Sequence, residues 1–142
     1  MKVFDFFKSF FQPSSQSHFG ILPGDIFATY KGEKGYQLLK VLDIDIAYGV
    51  IHLYFYRGSY AEVPSADEIE DLIAKRNEGR TSTSFSDMLQ EMANSDYYEI
   101  MHIPLALKGF LADRPIFIKH SEVKEEELEG YRYYLEEMGG GA

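Results

Sequence analysis

Residues 23–57, PGDIFATYKGEKGYQLLKVLDIDIAYGVIHLYFYR, decide the fold. They predict three closely spaced β-strands joined by two tight turns. Residues 48–57 (YGVIHLYFYR) are the clearest strand, because β-branched and aromatic side chains fit a pleated surface. Gly24-Asp25 opens the first strand, over residues 25–30. Gly32-Glu33-Lys34-Gly35 makes the hairpin into the second, over 36–44, and residues 43–47 separate the second from the third. In the third strand, alternation puts Ile51, Leu53 and Phe55 on one face, which reads as core. His52, Tyr54 and Tyr56 share the other, either a second packing face or a contact surface.

Working outward, residues 1–11 (MKVFDFFKSFF) place Val3, Phe6, Phe7 and Phe10 at i, i+3, i+4 and i+7, the stripe of an amphipathic helix. So many phenylalanines would be a costly exposed patch. They are expected to dock on the parent domain, with a partner or membrane surface as the alternative. Asp5 and Lys8 interrupt the run and no small-residue cleavage site follows, so a secretory signal is not expected, and the run is shorter than the about 20 apolar residues a membrane span needs. Residues 12–20 read as a polar linker. On the other side of the meander, Ser65 with Glu68 is an S-x-x-E capping box. It opens a helix that buries Ile69, Leu72 and Ile73. A short helix is expected over 85–92, and strands over 97–104 and 115–119; residues 105–111 are ambiguous. Ser121 is expected to cap a last helix with Leu128, Tyr131, Leu135 and Met138 inward, weakened by Gly130. Residues 139–142 are a glycine-rich tail expected to be disordered. The whole of 1–142 reads as a single α+β domain: a strongly bent antiparallel sheet or partly open barrel of about five strands, with two to four packed helices.

The chain has no cysteine, which excludes disulfides and thiolate metal sites. Its net charge is −9. Residues 62–78 carry −4 of it and residues 121–138 carry −5, so the remaining chain is neutral. Acids on two helices are either solvated faces or a means of attracting a basic partner. They disfavour contact with nucleic-acid phosphates. Charge reversal at Glu125, Glu126 and Glu127, or at Glu68, Glu70 and Asp71, is expected to slow such an association.

No catalytic signature emerges. His18, His52, His102 and His120 lack ligand-like spacing, so no metal or other cofactor is expected. Gly58-Ser59 has no nucleophile-elbow context. Asp43 and Asp45 suit a turn, in which Asp bonds nearby backbone. The alternative is an acid–base pair that, with His52, would serve a small enzyme or ligand-binding domain at the sheet end. Tyrosines gather near the third strand: Tyr48, Tyr54, Tyr56 and Tyr60, with Arg57. They are either core filling or a contact surface, since Tyr and Arg are favoured at interfaces. The expected partner-binding residues are therefore Asp43, Asp45, Tyr48, Tyr54, Tyr56, Arg57, Tyr60, Glu68, Glu70, Asp71, Glu125 and Glu126.

The stretch Leu22-Pro23-Gly24-Asp25-Ile26-Phe27-Ala28, followed by Gly35-Tyr36-Gln37-Leu38-Leu39-Lys40-Val41-Leu42, resembles the opening of bacterial immunity proteins from polymorphic toxin systems. In that family a G-D-x-F-A strand leads through a glycine-tyrosine hairpin into a partly open, SH3-like barrel. The resemblance covers about a quarter of the chain and carries over no binding residue. It implies a non-enzymatic cytoplasmic protein that binds and blocks a toxin. The acidic surface would suit a basic toxin such as a nuclease.

Overall fold

A computed structural model describes residues 20–76 and 99–139. The expected helices over 1–11 and 85–92, the linker short of Gly20, and residues 140–142 lie outside the described residues.

The architecture is α+β. Five antiparallel strands form one open sheet: β1 (Asp25–Tyr30), β2 (Tyr36–Asp45), β3 (Val50–Phe55), β4 (Ile100–Ala106) and β5 (Ile116–His120). Their order is β4-β3-β2-β1-β5, so the meander runs in sequence order and the last strand returns beside the first. Among the described residues, three helices accompany the sheet: α1 (Ile69–Lys75), α2 (Leu107–Ala112) and α3 (Glu129–Gly139). The segment 105–111 therefore divides between the end of β4 and α2. Among the described residues, no helix is long and apolar enough to cross a membrane.

The sheet buries both faces, and alternation decides which residue goes where. Phe27, Leu39, Val41, Ile51, Leu53 and Phe55 form one core with Leu107 and Phe110 of α2. Ile26, Ala28, Leu38, Leu42, Tyr54 and Tyr56 form the other with Ile69 and Ile73 of α1. The second face of β3 is thus a packing face. Register shifts fall between Ile26 and Phe27, between Val41 and Asp43, and between Leu53 and Phe55. Such irregularities bend a strand and increase its local twist. The β1–β2 turn needs a glycine at its end. Gly35 has φ +90°, and an added Cβ would lie 2.1 Å from the Tyr60 carbonyl oxygen, where that segment bridges to Tyr36.

Two helix starts differ from expectation. Glu68 does accept the Ser65 N–H at 2.8 Å, but α1 begins only at Ile69, after a turn. Ser121 is not the cap, because the helical turn after β5 starts only at Glu125, with Lys124 at its N-cap. A 3₁₀ turn (Glu125–Leu128) then leads into α3. Of the four side chains expected inward on this helix, Leu128 and Tyr131 pack on the second core. Leu135 is 48% exposed and Met138 70%. Only the first turns of α3 lie against the sheet, so among the described residues its later apolar positions are not covered by it.

Candidate functional site

Three polar clusters are built on the second face of the sheet, and two of them, the first and the third, fasten the C-terminal segment to it. The first centres on Lys40, which is fully buried. Its ammonium meets Glu127 Oε1 at 2.9 Å and donates to the Glu122 carbonyl at 3.2 Å. Glu127 also accepts the Tyr56 hydroxyl and the Lys124 N–H. Burial pushes the Glu127 carboxyl up; hydrogen bonds from Tyr56, Lys124 and Lys40 outweigh this and hold it below the usual range. A buried charge is tolerated only when paired and hydrogen-bonded, and this carboxylate is both.

The second cluster centres on Glu99, just before β4. Arg76, which follows α1, meets it in a two-pronged pair, Nε to Oε1 and Nη2 to Oε2, each at 2.8 Å. Tyr54 and the Arg57 N–H donate to the same carboxylate. Burial, then Glu99, pushes the Tyr54 hydroxyl up to about 12. The planar fork of arginine suits this bidentate geometry.

The third cluster is aromatic. His52 on β3 and His102 on β4 share a hydrogen bond, Nδ1 to Nε2, at 2.9 Å. Tyr131 and Tyr134 of α3 lie on the pair, with ring centroids 4.6 Å from His52 and 4.5 Å from His102 respectively. Tyr131 donates to Asp43 Oδ2 at 2.7 Å. Burial lowers His52 against the pull of Asp43 and Asp45, and it lowers His102 to about 4, with His52 adding to the effect.

These contacts locate the expected binding residues. Tyr54 and Tyr56 are buried, so the core alternative holds for them and they leave the candidate surface. Arg57 and Tyr60 are half-buried. Tyr48 is 82% exposed in the β2–β3 turn. Asp43 and Asp45, expected in the turn, both lie in β2, which runs to Asp45 and leaves the turn to residues 46–49; Asp45 accepts the Tyr48 N–H across that turn, and Asp43 accepts the N–H of the next residue, Ile44. Asp43 and His52 are register partners, so these two do come together. Tyr131, however, lies on the His52 ring and donates to Asp43. Among the described residues, no group of three His, Asp or Glu is placed to hold a metal ion. Glu127, expected at the surface, is core.

What the clusters leave outward is acidic and aromatic. Glu125, Glu126, Glu129, Arg132, Tyr133 and Glu136 line a shallow groove of about 550 Å³. Tyr133 is 65% exposed. Arg132 pairs with Glu125 at 2.8 Å. Glu126, Glu129 and Glu136 have no ion pair among the described residues. On α1, exposed Asp71 meets Lys75 at 3.1 Å, and Glu70 meets Lys119 at 3.6 Å. The two helices are therefore unequal: both acids of α1 are compensated locally, and Glu129 and Glu136 of α3 are not. The sequence marked Glu125 and Glu126; it missed Glu129, Tyr133 and Glu136. Their i, i+4 and i+7 spacing from 129 was the available signal.

No protein-family model, curated protein or solved structure matches the chain.

Proposed function

We propose that this chain is a non-enzymatic binding protein that inhibits a basic bacterial toxin in the cytoplasm, an immunity protein in kind. The observation that carries the reading is the outward face of the 3₁₀ turn and α3. It sets the carboxylates of Glu126, from the turn, and Glu129 and Glu136, from α3, none with an ion pair among the described residues, around exposed Tyr133, on a segment fastened by polar clusters. A rigid aromatic with a charged rim is the usual make-up of an energetic centre at an interface. Like charge around it speeds encounter with a basic partner. The resemblance of residues 22–42 to toxin-immunity proteins supplies the class of partner.

The test is affinity capture from the native organism, with the captured protein then expressed alone and with this chain. A stoichiometric basic protein is expected, toxic alone and harmless when co-expressed. Changing Glu126, Glu129 and Glu136 together to lysine should abolish protection while leaving the fold intact. A captured partner that is not toxic, or protection that survives the triple change, overturns the reading.

A further inference from the structure

On the other face of the sheet, a cavity of about 590 Å³ opens between β1, β5 and the end of α2. Ile21, Phe27, Leu111 and Phe117 wall it with apolar surface, and the Phe27 and Phe117 rings meet edge to face at 5.7 Å. Three polar side chains also line it: Asp25, His120 and Arg114. The buried Asp25 carboxylate is fully engaged, one oxygen accepting the Leu22 N–H at 2.9 Å and the other meeting His120 Nδ1 at 2.8 Å. It therefore orients the imidazole. His120 Nε2 has no partner among the described residues.

Arg114 is the unusual member. It follows the C-terminus of α2 with φ +53°, the one non-glycine residue with positive φ among those described. Its N–H bonds the Leu111 carbonyl, closing the helix in the left-handed position that glycine usually fills. An arginine there is held against its backbone preference. Its guanidinium has no ion pair among the described residues, in a chain with nine more acids than bases. A strained, uncompensated cation at the mouth of an apolar cavity matches the general make-up of a small-molecule site: apolar walls and a few convergent polar groups.

We propose that this cavity binds a small organic carboxylate, its apolar body between Phe27, Leu111 and Phe117 and its charge on Arg114 and His120. The site stands on the cavity alone and does not depend on the toxin reading. The probe is 4-phenylbutanoate, compared with the neutral 4-phenylbutanol, each titrated into the ¹⁵N-labelled full chain. A ligand of this size should bind with a dissociation constant on the order of 1 mM. The carboxylate should bind at least about tenfold more tightly than the alcohol, with shifts at Phe117 and His120. Arg114→Gly should weaken the carboxylate about tenfold and leave the alcohol unchanged. The cation also sits well against the α2 dipole, but that effect is blind to the ligand, so the comparison of the two probes and not the melting temperature decides. Equal affinity for the two probes, no shifts at the cavity by about 10 mM, or an undiminished carboxylate affinity in Arg114→Gly would each overturn the assignment.

Discussion

Lys40 and Glu127 set the stakes at the scale of single residues. Each is buried, and each is the other's charge partner. Breaking such a pair from one side strands a charge, which costs about 3–5 kcal/mol. Glu127→Gln should therefore lower the free energy of urea unfolding by several kcal/mol. The double change Lys40→Met with Glu127→Leu should cost less than Glu127→Gln alone. If the single change is nearly neutral, the pair does not hold the C-terminal segment. The histidine pair gives a second prediction, in pH. Both folded-state values are depressed, so the unfolded chain binds more protons as pH falls. Their contribution is complete above the ordinary value of 6.5 and is lost as pH falls towards about 4, the folded value of His102. Unfolding midpoints should fall across that window. His102→Gln, which keeps a hydrogen-bonding side chain beside His52, should flatten the fall. An unchanged slope would remove the pair as its source. None of this chemistry had a spacing to betray it: His52 and His102 lie 50 residues apart, and Tyr56 and Glu127 lie 71 apart. Alternation put His52, Tyr54 and Tyr56 on one face of β3, but only the folded chain shows what meets them there.

At the scale of elements, α3 repays closest attention. Gly130 reads in the sequence as a weakness, since glycine costs a helix up to about 1 kcal/mol relative to alanine. In the fold it is a point of contact. An added Cβ would lie 2.8 Å from Met101 Cβ and 3.1 Å from the Met101 carbonyl carbon, neither of which is the end of a flexible side chain. Gly130→Ala should therefore destabilise the protein by about 1–3 kcal/mol, as overpacking does, despite its better helix propensity. Calorimetry decides the sign: a raised melting temperature would mean that α3 can lift from β4 without loss. The same contact explains why Leu135 and Met138 are exposed. The helix touches β4 through Gly130, Tyr131 and Tyr134 and then leaves the sheet, so an inward stripe extrapolated along its length overshoots. Strands were more legible. The bounds of β1 follow from Gly24-Asp25 and the Gly32 turn, whereas β3 starts two residues later than its aromatic run suggests, because Tyr48 and Gly49 belong to the turn.

At the scale of the whole molecule, the meander was readable and the return of β5 beside β1 was not. Local turns specify neighbours in sequence; pairing across 90 residues depends on the core that forms between. The charge was readable as a total but not in its consequences. Two segments share the excess about equally, yet the acids of α1 meet Lys75 and Lys119, while Glu126 of the 3₁₀ turn and Glu129 and Glu136 of α3 have no ion pair among the described residues. The test of the toxin-inhibitor reading is thus asymmetric. Lysine at those three positions changes the charge of one face by six units and should slow association with a basic partner by about 10- to 100-fold at low salt. Lysine at Glu68, Glu70 and Asp71 changes the charge equally but should act more weakly, because none of those acids lines the groove that holds Tyr133. Near 1 M salt, where charges are screened within about 3 Å, both variants should approach the unaltered chain in on-rate. Stopped-flow association across a salt series measures all of this. Equal effects from the two triple variants would mean that total charge, and not the α3 face, steers the partner.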